Sequence, residues 1–205
     1  MEHLTIHETP DRKLDQLVIV FSGWADAAEG ATSAVKFMQR KLQAKKFAEI
    51  DPEEFYDFSQ TRPHSSRTRD GKRRIHWPGN EFSYLTGATP ESGIMVFSGV
   101  EPNLKWRTFS KTVAKVARDH GVESVIHIGA LLDAVPHTRP VKLSGTASEP
   151  KLSEFLESQG IRSSNYQGPT GISSAVMDAC LKEGMEYTSI WGHTSHYLQA
   201  APNHR

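Results

Sequence analysis

Val122 to Ser148 reads VESVIHIGALLDAVPHTRPVKLSGTAS. Its first part, Val122 to Ile128, is a β-branched run that reaches Gly129-Ala130, the pattern of a buried strand stopping where a loop begins. Pro136-His137-Thr138-Arg139-Pro140 follows, with prolines fixing φ on either side of three hydrogen-bonding side chains, and leads into a second polar turn, Ser144-Gly145-Thr146-Ala147-Ser148. Loops at the carboxyl ends of strands in open α/β sheets are where ligands and partners dock. This segment is the expected rim of a site.

Upstream, Leu17-Val18-Ile19-Val20-Phe21 is a buried strand closed by Ser22-Gly23-Trp24. Asp26 is placed to cap a helix in which Ala31, Ala34 or Val35, Met38 and Leu42 recur on one face, with Gly30 a mild cost inside it. Phe47 to Ile50 reads as a strand, and Asp51-Pro52-Glu53-Glu54 offers a cap, a first-turn proline and acids for another helix. Phe55, Tyr56 and Phe58 form a core wedge. Glu81 to Leu85 returns as a strand, and Ile94 to Phe97 is a buried one closed by Ser98-Gly99. Glu101-Pro102-Asn103-Leu104-Lys105-Trp106-Arg107 then opens a helix with Trp106, Phe109, Val113 and Val116 on one stripe, ending at Gly121. Residues 1 to 13 are polar and read as frayed or as an edge strand.

Downstream, Pro150 to Gln159 is a polar helix stopped by Gly160. Tyr166-Gln167-Gly168-Pro169-Thr170-Gly171 precedes a helix that has Ser173 as candidate cap and carries Val176, Ala179 and Cys180 inward. Glu186 to Trp191 is the last strand, and the chain stops at Pro202-Asn203-His204-Arg205. Strands near Val18, Ile94, Val125 and Thr188 alternate with helices, so the expected fold class is α/β, a three-layer single domain over 1–205 with a mostly parallel central sheet. If those strands are parallel, their glycine-containing loops share one edge.

Thr61 to Trp77 departs from this pattern. Arg62, His64, Arg67, Arg69, Lys72, Arg73, Arg74 and His76 concentrate positive charge there, with Asp70-Gly71 as a turn between two arms. An inserted basic hairpin over 61–77 is expected. Two readings apply to it: a solvated arm, or a docking arm for an acidic partner through Arg69, Arg73 and Arg74.

The chain has 205 residues, enough for one sizeable core, and its 24 Lys plus Arg balance 24 Asp plus Glu. No global field attracts nucleic acid or an anionic membrane. The single cysteine, Cys180, excludes an intrachain disulfide and fits a reducing compartment. Charged residues precede any apolar run, and no stretch approaches roughly 18 consecutive apolar residues. No secretory signal or membrane span is expected, and the setting read from this is cytoplasmic.

G-x-G-x-x-G, G-x-x-x-x-G-K-[ST] and G-x-S-x-G are all missing from the sequence. Dinucleotide, P-loop and hydrolase-elbow chemistry have no local support, and no cofactor is expected. Cys180, mid-helix among apolar neighbours, reads as core. His193 and His196 read as loop or interface residues in preference to metal ligands. The candidates for binding are Trp24, Asp26, Glu101, Arg107, His137, Arg139, Ser144, Thr146 and Thr170. From Glu101 to Thr170 this set gives one carboxylate, two guanidinium forks and several hydroxyls, which with glycine-turn N–H groups suit a small anion or phosphate. A second reading makes Glu101 and Arg107 an ion pair and gives Arg139 to a loop carbonyl.

Six motifs in order carry a resemblance: Gly23-Trp24-Ala25-Asp26-Ala27, Ala48 to Phe58, Arg74 to Phe82, Glu101 to Arg107, Gly129 to Leu132 with Pro136 to Pro140, and Tyr166 to Gly171. Together they resemble the proteasome-assembly-chaperone family of the second type, in its actinobacterial and archaeal branch, over about Leu17 to Asn203. That resemblance implies a nucleoside-phosphorylase-like architecture, a homo-oligomer (trimer or tetramer), and a protein-binding role toward proteasome subunits or their C-terminal tails. It implies no established reaction, so an enzymatic activity stays open. Members carry a further helical segment after the position of Asn203, which is expected to be missing here. A small phosphate- or nucleoside-type ligand in the strand-end pocket is the alternative function.

Overall fold

Leu17, Ile19 and Phe21 point to one face of their strand, and Val18 and Val20 to the other; all five are buried in two separate apolar clusters. A strand covered on both faces must lie inside a sheet with helices above and below. Each such side chain contributes about 2 kcal/mol through burial. The structure, a computed structural model, describes residues 3–86 and 93–198. The chain end at Pro202 to Arg205 lies outside the described residues.

The strands are β1 (Leu4–Ile6), β2 (Leu14–Ser22), β3 (Ala44–Ile50), β4 (His64–Arg67), β5 (Arg73–His76), β6 (Asn80–Leu85), β7 (Gly93–Val100), β8 (Ser124–Asp133), β9 (Leu143–Ala147) and β10 (Glu186–Ser195). The helices are α1 (Gly30–Lys41), α2 (Trp106–Asp119), α3 (Pro150–Ser158) and α4 (Ile172–Lys182). Eight strands form one sheet in the order β1-β3-β6-β7-β2-β8-β10-β9. Its centre, β7-β2-β8-β10, is parallel throughout, as the four buried runs suggested. The flanks are antiparallel, so the sheet is mixed. The polar N-terminal segment supplies the edge strand β1.

One face of the sheet packs on α2 and α4 around an aromatic cluster. Phe97 is its hub, with ring centroids 4.7 Å from Phe82, 5.5 Å from Phe21 and 6.1 Å from Phe109. Phe55 and Tyr56 are buried in the same cluster and Phe58 packs against it, as the wedge reading had it. The other face is narrower and packs on α1 through Ala31 and Val35. Cys180 is fully buried, and burial pushes its thiol up to about 12. It is a core residue.

Several local expectations give way to tertiary context. β8 does not stop at Gly129 but runs to Asp133, because β10 pairs with it residue by residue from Glu186 opposite Ser124 to Ser195 opposite Asp133. Ser144 to Ala147, read as a turn, lies in β9, antiparallel to β10. Asp51 to Glu54 forms turns and no helix; the Asp51 carboxylate accepts from the Glu53 N–H instead. Gly30 is the first residue of α1, where it costs little. Ser173 lies inside α4 and makes no cap.

The basic hairpin folds as read. β4 and β5 pair antiparallel with Arg67 opposite Arg73, and Gly71 takes the positive φ, +83°, that the turn needs. All eight strand residues are exposed. The pair forms its own sheet, and the ring of Phe58 meets Trp77 at its base, centroids 4.8 Å apart.

Candidate functional site

The ends of two strands and the last part of a third are stitched together at the carboxyl edge. Beyond Ser22, Gly23 turns at φ +127°, and a Cβ there would lie 3.0 Å from the Glu101 Cβ. The Glu101 N–H donates to the Ser22 carbonyl at 2.9 Å, joining the ends of β2 and β7. The Ala130 N–H donates to the Ala25 carbonyl at 2.8 Å, joining the β2 loop to β8. Parallel strands make this convergence unavoidable.

A cavity of about 700 Å³ opens beside these junctions. Its floor is one face of β10 and β9, carrying Tyr187, Ser189 and Trp191 with Ser144 and Thr146. Ser173, Ser174 and Met177 of α4 form a wall, and Trp24, Leu131, Leu132, Tyr166, Pro169 and Thr170 are among the other lining residues. The Trp191 ring lies over Gly129, where any Cβ would approach it to 2.7 Å. Glycine at that position therefore makes the floor. No lining residue carries a charge: the surface is aromatic, aliphatic and hydroxylic. Trp24 and Tyr166 are 61% and 63% exposed, so two large rings stand at the rim in water.

The residues singled out in the sequence divide into three groups. Trp24, Ser144, Thr146 and Thr170 line the cavity, with Thr170 hydrogen-bonded to Ser174. Asp26 and Glu101 build the walls without lining them. The buried Asp26 carboxylate accepts from the Ala31 and Thr32 N–H groups at 2.9 and 3.1 Å and from the Thr32 hydroxyl at 2.5 Å. It is thus the helix cap that the sequence suggested, and it reaches α1 across a 3₁₀ turn whose Ala28 and Glu29 are left-handed. One Glu101 oxygen accepts the Trp24 N–H at 3.1 Å and the other the Ile172 N–H at 2.9 Å. A single carboxylate thereby ties the β2 loop to the N-terminus of α4 and fills the cap that Ser173 does not. Arg107, His137 and Arg139 form the third group. All three are exposed and outside the lining. His137 bonds the Tyr197 phenol at 2.9 Å, and the Arg139 N–H donates to the Pro136 carbonyl at 3.2 Å. Arg69, Arg73 and Arg74 are exposed on the hairpin.

Sequence reasoning missed Tyr187, Ser189, Trp191 and His193, which share one face of β10 by the period-two rule; extending the last strand past Trp191 would have found them together. It also missed two polar features beside the cavity, one buried and one partly exposed. The His127 ring is fully buried, its Nδ1 lies 2.9 Å from the Ser189 hydroxyl, and its Nε2 has no hydrogen-bond partner. Burial pushes this imidazole down to about 4. The other feature is a chain of hydrogen bonds across three strands. His193 Nδ1 lies 2.7 Å from Asp133 Oδ2, and His193 Nε2 lies 2.9 Å from Ser144 Oγ. Lys142, His193 and the Ala134 N–H together hold the Asp133 carboxyl well below the usual carboxylate range.

The sequence matches the model of the PAC2 family over residues 20–205. Among solved structures it is similar to a PAC2 family protein from Streptomyces avermitilis, with 35% identity, TM-score 0.82 and coverage of 92% of this chain and 79% of that one. A Mycobacterium tuberculosis proteasome-assembly chaperone homologue gives 34% identity and TM-score 0.81 over 92% of this chain and 78% of the other. Pyrococcus furiosus PbaB, an archaeal proteasome activator, shares the fold at 16% identity, TM-score 0.73, over 98% of this chain and 83% of its own. Among curated proteins none matches the sequence significantly.

Proposed function

The chain belongs to the PAC2 family, and from that premise we propose that it is a protein-binding, proteasome-assembly-chaperone-like protein whose carboxyl-edge cavity holds an extended segment of a partner chain. The observation that carries this reading is the cavity's character. It has about 700 Å³ of uncharged space walled by aromatic and aliphatic side chains, with hydroxyls spaced between them. Such a surface accepts apolar side chains as anchors while the hydroxyls meet peptide N–H and C=O groups. Trp24 and Tyr166 at the rim supply rigid contact area. Proteasome subunits or their C-terminal tails are the proposed partners, in line with what the M. tuberculosis and P. furiosus neighbours are called. The hairpin arginines Arg69, Arg73 and Arg74 steer an acidic partner toward this edge. The protein works in the cytoplasm as a homo-oligomer, a trimer or tetramer.

A phosphate- or nucleoside-type ligand receives less support, because Arg107, His137 and Arg139 stand outside the cavity. The test is fluorescence titration of the chain with peptides that match the C-termini of proteasome subunits, together with light scattering for the oligomer's mass. Trp24→Ala and Met177→Glu should each weaken the peptide Kd by about tenfold or more. Undiminished binding in both variants would move the docking site elsewhere.

A further inference from the structure

We infer that Ser144, His193 and Asp133 form a nucleophile, base and orienting carboxylate, and that they give the cavity a serine acyl-hydrolase activity toward uncharged carboxylic esters. The hydrogen-bond chain has the order and direction this chemistry requires. A carboxylate only accepts, so the Nδ1 that faces Asp133 at 2.7 Å carries the proton of the neutral ring. Nε2 is left with its lone pair, and at 2.9 Å the Ser144 hydroxyl donates to it. That is the tautomer in which imidazole accepts a serine proton.

The arrangement is rigid. Asp133, His193 and Ser144 sit on β8, β10 and β9, three adjacent strands, on the same face of the sheet. Asp133 Oδ1 accepts the Ala134 N–H at 2.7 Å, and Oδ2 is shared between His193 and Lys142 Nζ at 2.9 Å, so the carboxylate plane is fixed. The His193 side chain is 9% exposed, whereas Ser144 opens into the cavity. A base shielded from water beside a nucleophile that faces a pocket is the arrangement acyl transfer needs. The chain order Asp, Ser, His and the lack of a nucleophile elbow are no obstacle, since such triads are recognised by geometry.

The reaction balances without a cofactor. Ser144 Oγ attacks the ester carbonyl carbon while His193 Nε2 takes the hydroxyl proton. The carbon–oxygen bond to the alcohol breaks, and the leaving alkoxide takes that proton from His193. Water, deprotonated by His193, then attacks the acyl-Ser144 carbonyl and releases the acid and free serine. The uncharged lining selects an apolar, neutral acyl group. The Gly145 N–H is already committed to the Arg162 carbonyl at 3.1 Å, so the oxyanion must rely on hydroxyls such as that of Thr146. Turnover should therefore be slow, and covalent capture is the sharper readout.

The full chain is incubated with a fluorophosphonate and, separately, with p-nitrophenyl butyrate. A single adduct on Ser144 is expected by peptide mass spectrometry, with a burst of about one nitrophenolate per chain. Ser144→Ala should abolish both. Asp133→Asn should lower the inactivation rate constant at least about 100-fold with the probe's KI unchanged, because the amide favours the wrong tautomer. His193→Gln, which keeps a hydrogen-bonding side chain, should behave likewise; circular dichroism reports whether each variant is folded. An adduct on another residue overturns the inference. So does labelling of Ser144 at wild-type rate in folded Asp133→Asn, or no labelling of the wild-type chain.

Discussion

The carboxyl-edge cavity and the basic hairpin are built on opposite physical terms. Contacts between sequence-distant segments hold much of the cavity: Glu101 spans two loops, Trp191 lies over Gly129, and β9 is held by β10. The hairpin has its own two strands, all exposed, and a single aromatic contact at its base. A two-stranded ribbon alone is marginal in water. The cavity is thus a shape maintained by the core, whereas the hairpin is a charge carried on an arm. Shape should respond to substitutions in stability and binding together; charge should respond in association rate alone.

The largest expected effect that tests this contrast comes from pH. His127, beside the cavity floor, is held neutral by burial with its proton affinity lowered to about 4. The unfolded chain takes up a proton near 6.5, the folded chain only near 4, so the stability from this group is full above 6.5 and is lost as pH falls toward 4. The slope approaches about 1.4 kcal/mol per pH unit, or about 3 kcal/mol in all. Urea unfolding at pH 7, 5.5 and 4 measures it, and His127→Gln should flatten the dependence in that window.

Gly129→Val is next, because its Cβ and methyls would displace the Trp191 ring. The cost should be about 1–3 kcal/mol in thermal or denaturant unfolding, with loss of peptide binding. Glu101→Ala should cost about 1–2 kcal/mol by removing the acceptor of two N–H groups, and should raise hydrogen exchange at Trp24 and Ile172. The smallest effect belongs to the arm. Reversing Arg73 and Arg74 to Glu should change stability by less than about 0.5 kcal/mol, yet slow association with an acidic partner and flatten its salt dependence in stopped-flow measurements. Comparable stability losses at the hairpin and at Gly129 would erase the distinction.

The legible parts were those whose cause is local. The runs around Val18, Ile94 and Val125 could only be buried strands, and Asp70-Gly71 could only be a tight turn, since side-chain pattern and backbone freedom decide both within a few residues. Asp26 as a cap was legible for the same reason. Of the cavity, Trp24, Ser144, Thr146 and Thr170 were found because they follow strand ends or turn signals.

What tertiary structure decided is where sequence-distant groups meet. Gly129 looked like a strand terminus and instead makes room for Trp191, so β8 continues and Asp133 comes within reach of His193. Ser144 to Ala147 has the composition of a turn, but β10 offers it a row of backbone partners, and a hydrogen-bonding ladder outweighs a weak local preference. Glu101 had an arginine in its own motif to pair with, and took two backbone N–H groups from other elements. By itself the sequence determined the four central buried strands and the charged arm. Only the fold chose the partner of each polar side chain, because that choice depends on which donors burial brings within about 3 Å.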